Sequence, residues 1–180
     1  GPTSFLQSVI FLNDGGASNP TFSLGTPTTT AAKVVLTSAT PITASNDSYS
    51  TTPTISAGSA TLALLQFSNA NPAITVNQGL AEVGLNISAT ITQHANMVSL
   101  TKAGNGILAL SAAESTFTTG VNLSAGGLML GAGSTGTPVT KGPLGTGTLT
   151  IGNGTSLLSD GTARSVANAV TVNGDFTFGG

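Results

Sequence analysis

One histidine, His94, and six acids, Asp14, Asp47, Glu82, Glu114, Asp160 and Asp175, are the side chains of this 180-residue chain that could move protons or hold a metal. Glycoside cleavage needs two carboxylates converging on one bond, and lyase chemistry needs a carboxylate beside an Arg and a metal. Here the acids are spread along the chain. Glu82 stands before one strand-like segment and Glu114 in a turn after the next. Their separation of 32 residues does not match the repeat described below. Asp160 and Arg164, four apart near a turn, read as a local ion pair. His94 has no acid nearer in sequence than Glu82, so it reads as a turn or surface histidine. The absence of Cys removes disulfides and thiolate metal sites. Asn13-Asp14-Gly15-Gly16 is the one stretch that suits calcium, but the G-G-x-G-x-D repeat is missing. No catalytic, cofactor-binding or metal residue is therefore assigned, no cofactor is expected, and the chain is read as a non-enzyme.

The basic residues, Lys33, Lys102, Lys141 and Arg164, are few and scattered. Nucleic-acid binding is built from clustered Lys and Arg, so no nucleic-acid partner is expected. A net charge of −2 is too small to steer any ligand. No apolar run is long enough to span a bilayer, so no membrane insertion by this chain is expected. Charged residues are 6% of the chain, against about 25% in ordinary domains. Mean hydropathy is nonetheless positive, which argues against simple disorder. Thr, Val, Ile and Leu with 24 Gly and frequent Asn read as short strands joined by tight turns.

The strands announce themselves by alternation. Leu62/Leu64, Leu85/Ile87, Leu108/Leu110, Leu128/Leu130, Leu149/Ile151 and Val170/Val172 all have the form apolar–x–apolar, at spacings of 23, 23, 20, 21 and 21. Alternation is the period of a strand with one buried face. Its return after about twenty residues is the period of a chain that stacks on itself. A second ladder, Ile74/Val76, Val98/Leu100 and Val121/Leu123, runs beside the first. The pattern predicts an all-β fold, a β-solenoid with about 20–24 residues per coil. Residues 61–180 hold its regular coils. Residues 5–60 read as irregular N-terminal strands with a Ser/Thr/Pro-rich loop over 37–61, a cap or an excursion. Residues 1–4 read as a scar, Gly1-Pro2 from tag removal and Thr3-Ser4 from cloning, so the chain is read as a piece of a longer one. A Thr-x-Thr ice-binding grid is not expected: of the outward pairs Ile107/Ala109, Gly127/Met129, Thr148/Thr150 and Ala169/Thr171, one alone has both threonines.

From Leu100 the chain carries a recognisable pattern. Leu100-Thr101-Lys102-Ala103-Gly104-Asn105-Gly106-Ile107-Leu108-Ala109-Leu110-Ser111, then Phe117, Gly120 and Val121, then Ala125-Gly126-Gly127-Leu128-Met129-Leu130-Gly131, resembles the autotransporter-associated β-strand repeat over 100–131. An extra residue between Ser111 and Phe117, and Thr119 where Gly is common, depart from the family pattern. The resemblance extends to Gly180, covers Ala60 to Ser99 loosely and hardly touches the N-terminal third. It implies a right-handed parallel β-helix, the β-helical passenger segment of a large bacterial surface or secreted protein, often exported by type V secretion. Its location would be the cell surface, outer membrane-attached or extracellular. The family's repeat serves transport and display, not catalysis.

Two function classes follow. The first is a structural stalk or scaffold for display and adhesion. The second is a carbohydrate- or host-surface-binding module that uses the 37–61 loop with Tyr49, the single Tyr. The absence of Trp weakens the second. Val170/Val172 and Phe176/Phe178 are expected on an exposed apolar edge, with end-to-end self-association or a terminal rearrangement as its consequence.

Overall fold

The computed structural model describes residues 1–13, 16–25, 30–57 and 62–180. Every regular element among them is a strand. The first three strands, β1 (Thr3–Leu6), β2 (Val9–Asn13) and β3 (Thr21–Ser23), open three separate sheets. The next three, β4 (Ala32–Leu36), β5 (Ile42–Asn46) and β6 (Thr54–Ser56), lie one on each of these in the same order. So do β7 (Ala63–Phe67), β8 (Ala73–Val76) and β9 (Leu85–Ile87), and again β10 (Thr90–Ile91), β11 (Leu100–Ala103) and β12 (Ile107–Leu110). The first sheet then receives no further strand. β13 (Val121–Leu123), β15 (Leu149–Ile151) and β17 (Val170–Val172) extend the second sheet. β14 (Gly127–Leu130), β16 (Thr155–Ser159) and β18 (Phe176–Gly179) extend the third. The result is three sheets of 4, 7 and 7 strands, with every strand pair parallel.

Register turns this rotation into columns of side chains. On the inner face of the second sheet, Val9, Ile42, Ile74, Lys102, Leu123, Ile151 and Val172 follow one another strand by strand. On the third, Leu85, Leu108, Leu128, Leu157 and Phe178 do the same. These columns form one continuous apolar core with Leu36, Leu65 and Phe67 of the first sheet. Each fully buried Leu or Ile is worth about 1.5–3 kcal/mol. Gly104 and Gly126 let the chain turn from the second sheet to the third at left-handed φ of +77° and +67°. A Cβ on Gly104 would lie 2.3 Å from the Val76 carbonyl oxygen.

Four expectations need correction. The step between neighbouring strands is not uniformly 20–24 residues; it runs from 20 (Ile107 to Gly127) to 33 (Val9 to Ile42). The steps of 30 to 33 each include a strand of the first sheet, the step of 23 from Leu85 to Leu108 spans the two-residue β10, and steps of 20 or 21 occur only where that sheet has ended. The step of 29 from Gly127 to Ser156 carries an excursion bridged at Thr135 and Lys141. Second, the N-terminal third is not irregular. β2 and β5 pair over five residues, and the expected 37–61 loop contains β5 and β6. Even Thr3 and Ser4 belong to β1, opposite Lys33 and Val34. Ser/Thr-rich strands can join the stack because only alternate positions need be apolar. The expected boundary at 60/61 lies outside the described residues, as do Asp14 and Gly15 of the expected turn.

The third correction concerns the ladder. It crosses sheets, since Leu85, Leu108 and Leu128 are on the third sheet and Leu149 and Val170 on the second. The fourth concerns two of the apolar pairs, Leu62/Leu64 and Val98/Leu100. Leu62/Leu64 is one residue out of phase, because the inward side chains there are Ala63, Leu65 and Phe67. Val98 is 64% exposed, outside the strand that begins at Leu100. At the far end of the columns Val172 is 52% and Phe178 75% exposed, while Ile151 beneath Val172 is 1%. The apolar edge is thus present where it was expected.

Two outcomes test this register. Leu108→Asp should lower stability by more than about 3 kcal/mol, while Asn122→Ser, on an outward exposed position, should change it by under about 0.5 kcal/mol. Urea unfolding of the pair measures both. Removal of residues 100–120 takes out one register step, because Leu100 pairs with Val121. The shortened chain should retain β-type circular dichroism and one cooperative transition; removal of residues 100–109 alone should abolish both.

Candidate functional site

The residues singled out for chemistry do not converge. Lys141 Nζ meets the Glu114 carboxylate at 2.7 Å, on the surface. Arg164 donates through two nitrogens to Asp160, four residues back. That hydrogen-bonded guanidinium holds the exposed Asp160 carboxyl below its ordinary range. The ion pair read from the i, i+4 spacing is therefore present. His94 sits partly exposed in a turn, where its Nδ1 accepts the Asn96 N–H at 3.3 Å. Among the described residues no three His, Asp or Glu side chains gather as a metal would require. Asp14, the calcium candidate, lies outside them. Lys33 pairs across β4 with Thr3 and Leu64, off the inward column of Val34, Leu65 and Ile91.

Shallow cavities lie on the outer face of the third sheet among the described residues. A cavity of about 280 Å³ on the third sheet is lined by Val83, Asn86, Ala109, Met129 and Asp160. A second, of about 360 Å³, is lined by Gln78, Asn105, Ile107, Ser156 and Leu158. The two stand at the lower end of the roughly 300–1,000 Å³ usual for ligand pockets. Ala109 lines the first and is buried, although it points away from Leu108. The outward pairs once compared for a threonine grid belong to two sheets. On the second sheet alone the outward column reads Ala73, Thr101, Asn122, Thr150 and Thr171.

What the structure does bring together is a set of buried polar side chains at the corners. Within a parallel sheet, neighbouring strands satisfy one another's N–H and C=O groups. Where the chain turns to the next sheet some carbonyls lose that partner, and buried ones need another donor. Asn13 Nδ2 donates to Asn46 Oδ1 at 2.9 Å and to Thr51 Oγ at 2.7 Å. Asn46 Nδ2 donates to the Thr51 carbonyl at 2.6 Å. Thr155 Oγ donates to the Gly152 carbonyl at 2.7 Å. Elsewhere Gln93 Nε2 serves the His94 and Met97 carbonyls, and Asn168 Nδ2 those of Gly145 and Gly147.

Lys102 is the extreme member of this set. It occupies an inward position between Ile74 and Leu123 and is 1% exposed. Its ammonium donates to the carbonyls of Ala103 at 2.9 Å, Gly104 at 2.7 Å and Ala125 at 3.0 Å. Two successive corners are joined through one nitrogen. No salt bridge to it is formed among the described residues. Burial pushes the Lys102 ammonium down from 10.5 to about 8. Counted in the sequence as one of four scattered basic residues, it is part of the core. The signal was the alternation Leu100-x-Lys102, which places both on one face.

Comparisons with protein-family models, with curated proteins and with solved structures found no match.

Unfolded, Lys102 keeps its proton up to about pH 10.5; folded, it releases it near 8. Between those values the unfolded chain binds more protons, so stability should rise with pH, by at most about 1.4 kcal/mol per unit. Lys102→Met should lose that rise while other titrations persist. Denaturant unfolding at pH 7 through 10 measures the difference. Asn46→Ala, which orphans the Thr51 carbonyl and removes one of the two acceptors of the Asn13 amide, should lower stability by about 2–3 kcal/mol in the same assay.

Proposed function

We propose that the chain is a non-catalytic structural segment, a right-handed parallel β-helix of the kind found in passengers of large bacterial surface or secreted, autotransporter-like proteins. It serves as a stalk or scaffold that displays other parts of its protein at the outer membrane or outside the cell, with adhesion as an accompanying role. One observation carries this reading: the residues of the 100–131 pattern are consumed in holding the stack. Leu100, Leu108, Leu110, Phe117, Leu128 and Leu130 fill the core. Gly104, Gly120 and Gly126 take left-handed turns. Lys102 ties two corners together. The pattern's outward residues Ala109 and Met129, which line a cavity of the third sheet, carry no acid–base group.

A binding reading is favoured by one feature. Tyr49 stands 81% exposed between β5 and β6, at the tip of the segment first read as a loop. An exposed aromatic ring suits a sugar face or a host surface. On the same proposal, a second copy is the partner for the uncovered Val170, Val172, Phe176 and Phe178, as end-to-end association.

Fusion of the chain ahead of a type V transporter barrel in a Gram-negative host tests the scaffold reading. The expected outcome is a surface-exposed, protease-resistant segment. Retention inside the outer membrane, or complete digestion at the surface, would overturn it. Glycan-array binding by the chain that is lost in Tyr49→Ala would move the assignment to the binding reading.

A further inference from the structure

Three Asn–Gly pairs occur in the sequence: Asn105-Gly106, Asn153-Gly154 and Asn173-Gly174. All three fall at turns from the second sheet to the third, between β11 and β12, β15 and β16, and β17 and β18. Glycine has no side chain to obstruct attack by its own nitrogen on the preceding asparagine, and its backbone is free to adopt the required bend. The attack also needs that nitrogen to shed its proton and swing onto the Asn Cγ. A hydrogen bond from the glycine N–H opposes both.

The three corners differ in this respect. Gly106 N–H donates to the Val76 carbonyl at 2.8 Å. Gly154 N–H donates to the Asp175 carbonyl at 2.7 Å, and Asn153 Oδ1 in turn accepts the Asp175 N–H at 3.1 Å. Asp175 therefore clamps both reacting groups of the Asn153 pair. Gly174 N–H and the Asn173 side chain have no hydrogen-bond partner among the described residues, and Asn173 is exposed.

We propose that Asn173 is a site of self-modification, and that Asn153 is guarded by the docking of β18. The Gly174 nitrogen loses its proton and bonds to Asn173 Cγ; the C–N bond of the side-chain amide breaks and ammonia leaves. Water then adds to either carbonyl of the five-membered succinimide, and the ring opens to aspartate or isoaspartate. Overall, asparagine and water give the acid and ammonia, with no oxidant or cofactor. The new carboxylate stands two residues from Asp175. Isoaspartate also adds a methylene to the main chain between Val172 and Phe176, whose register holds β17 and β18 on Ile151 and Thr155. Loosening β18 withdraws Asp175 from Asn153. Modification thus proceeds inward, Asn173 before Asn153. Asn105 is left intact, since it lies two strands deeper in each sheet.

Incubation of the folded chain at mildly alkaline pH, followed by peptide mapping that separates asparagine, aspartate and isoaspartate, tests the order. Asn173 should convert faster than Asn105 and Asn153 by on the order of tenfold, the effect of one or two hydrogen bonds on a barrier. In denaturing urea the three rates should converge. In Asn173→Gln, conversion at Asn153 should slow as well. Equal rates in the folded chain, no conversion of Asn173 under conditions where the denatured chain converts, or an unchanged Asn153 rate in Asn173→Gln would overturn the proposal.

Discussion

The constraint on which the rest of this structure depends is the fate of backbone carbonyls where the chain turns from one sheet to the next. Along the strands the problem is solved by neighbours, since each parallel strand serves the one before and the one after. At a corner the ladder is interrupted, yet the column of side chains beside it must stay dry. An unpaired buried carbonyl costs about 1–3 kcal/mol. A stack of many corners tolerates few such losses, because a folded chain retains only about 5–15 kcal/mol in total. The described residues meet the demand with a different donor at each place: Asn46, Lys102, Thr155, Gln93 and Asn168.

Lys102 shows why a charge can serve here. An isolated buried ammonium is costly, and its lowered pKa expresses that cost. Three carbonyls within 3.0 Å oppose it, because each directs its negative end at the nitrogen. A leucine in its place would match Ile74 and Leu123 but leave those oxygens without a donor. The long aliphatic stem of lysine does both jobs. It continues the apolar column and delivers its donors to the corner. One such tie joins two successive corners of the stack, and so adds to the strand pairing and core packing that already hold neighbouring steps together.

The same economy bears on function. The motif that a reader would examine for activity is occupied by structural duties, from the glycines at left-handed turns to the phenylalanine at 117. The described carboxylates, Asp47, Glu82, Glu114, Asp160 and Asp175, are all exposed, and Glu114 and Asp160 each pair with a neighbouring cation.

The sequence by itself determined the strand character, the alternation and the existence of a repeat, because a strand with one buried face shows its period of two directly in Leu108-Ala109-Leu110 or Leu149-Thr150-Ile151. It also contained the Asp160–Arg164 pair, which local spacing is enough to form. It did not determine which sheet a given strand joins. Leu128-Met129-Leu130 and Leu149-Thr150-Ile151 carry the same pattern, yet they lie on the third and second sheets. Spacing along the chain cannot separate two faces that alternate at similar intervals. The N-terminal strands were hidden for a related reason: Ile42-Thr43-Ala44-Ser45-Asn46 is polar enough to read as a loop, and only stacking against β2 and β8 buries its alternate residues. Lys102 was the sharpest case. By type it belongs to the surface, and by position to the core. Tertiary structure decided between them, because the three carbonyls that hold its ammonium come from two corners 20 or more residues apart and converge when the strands are in register.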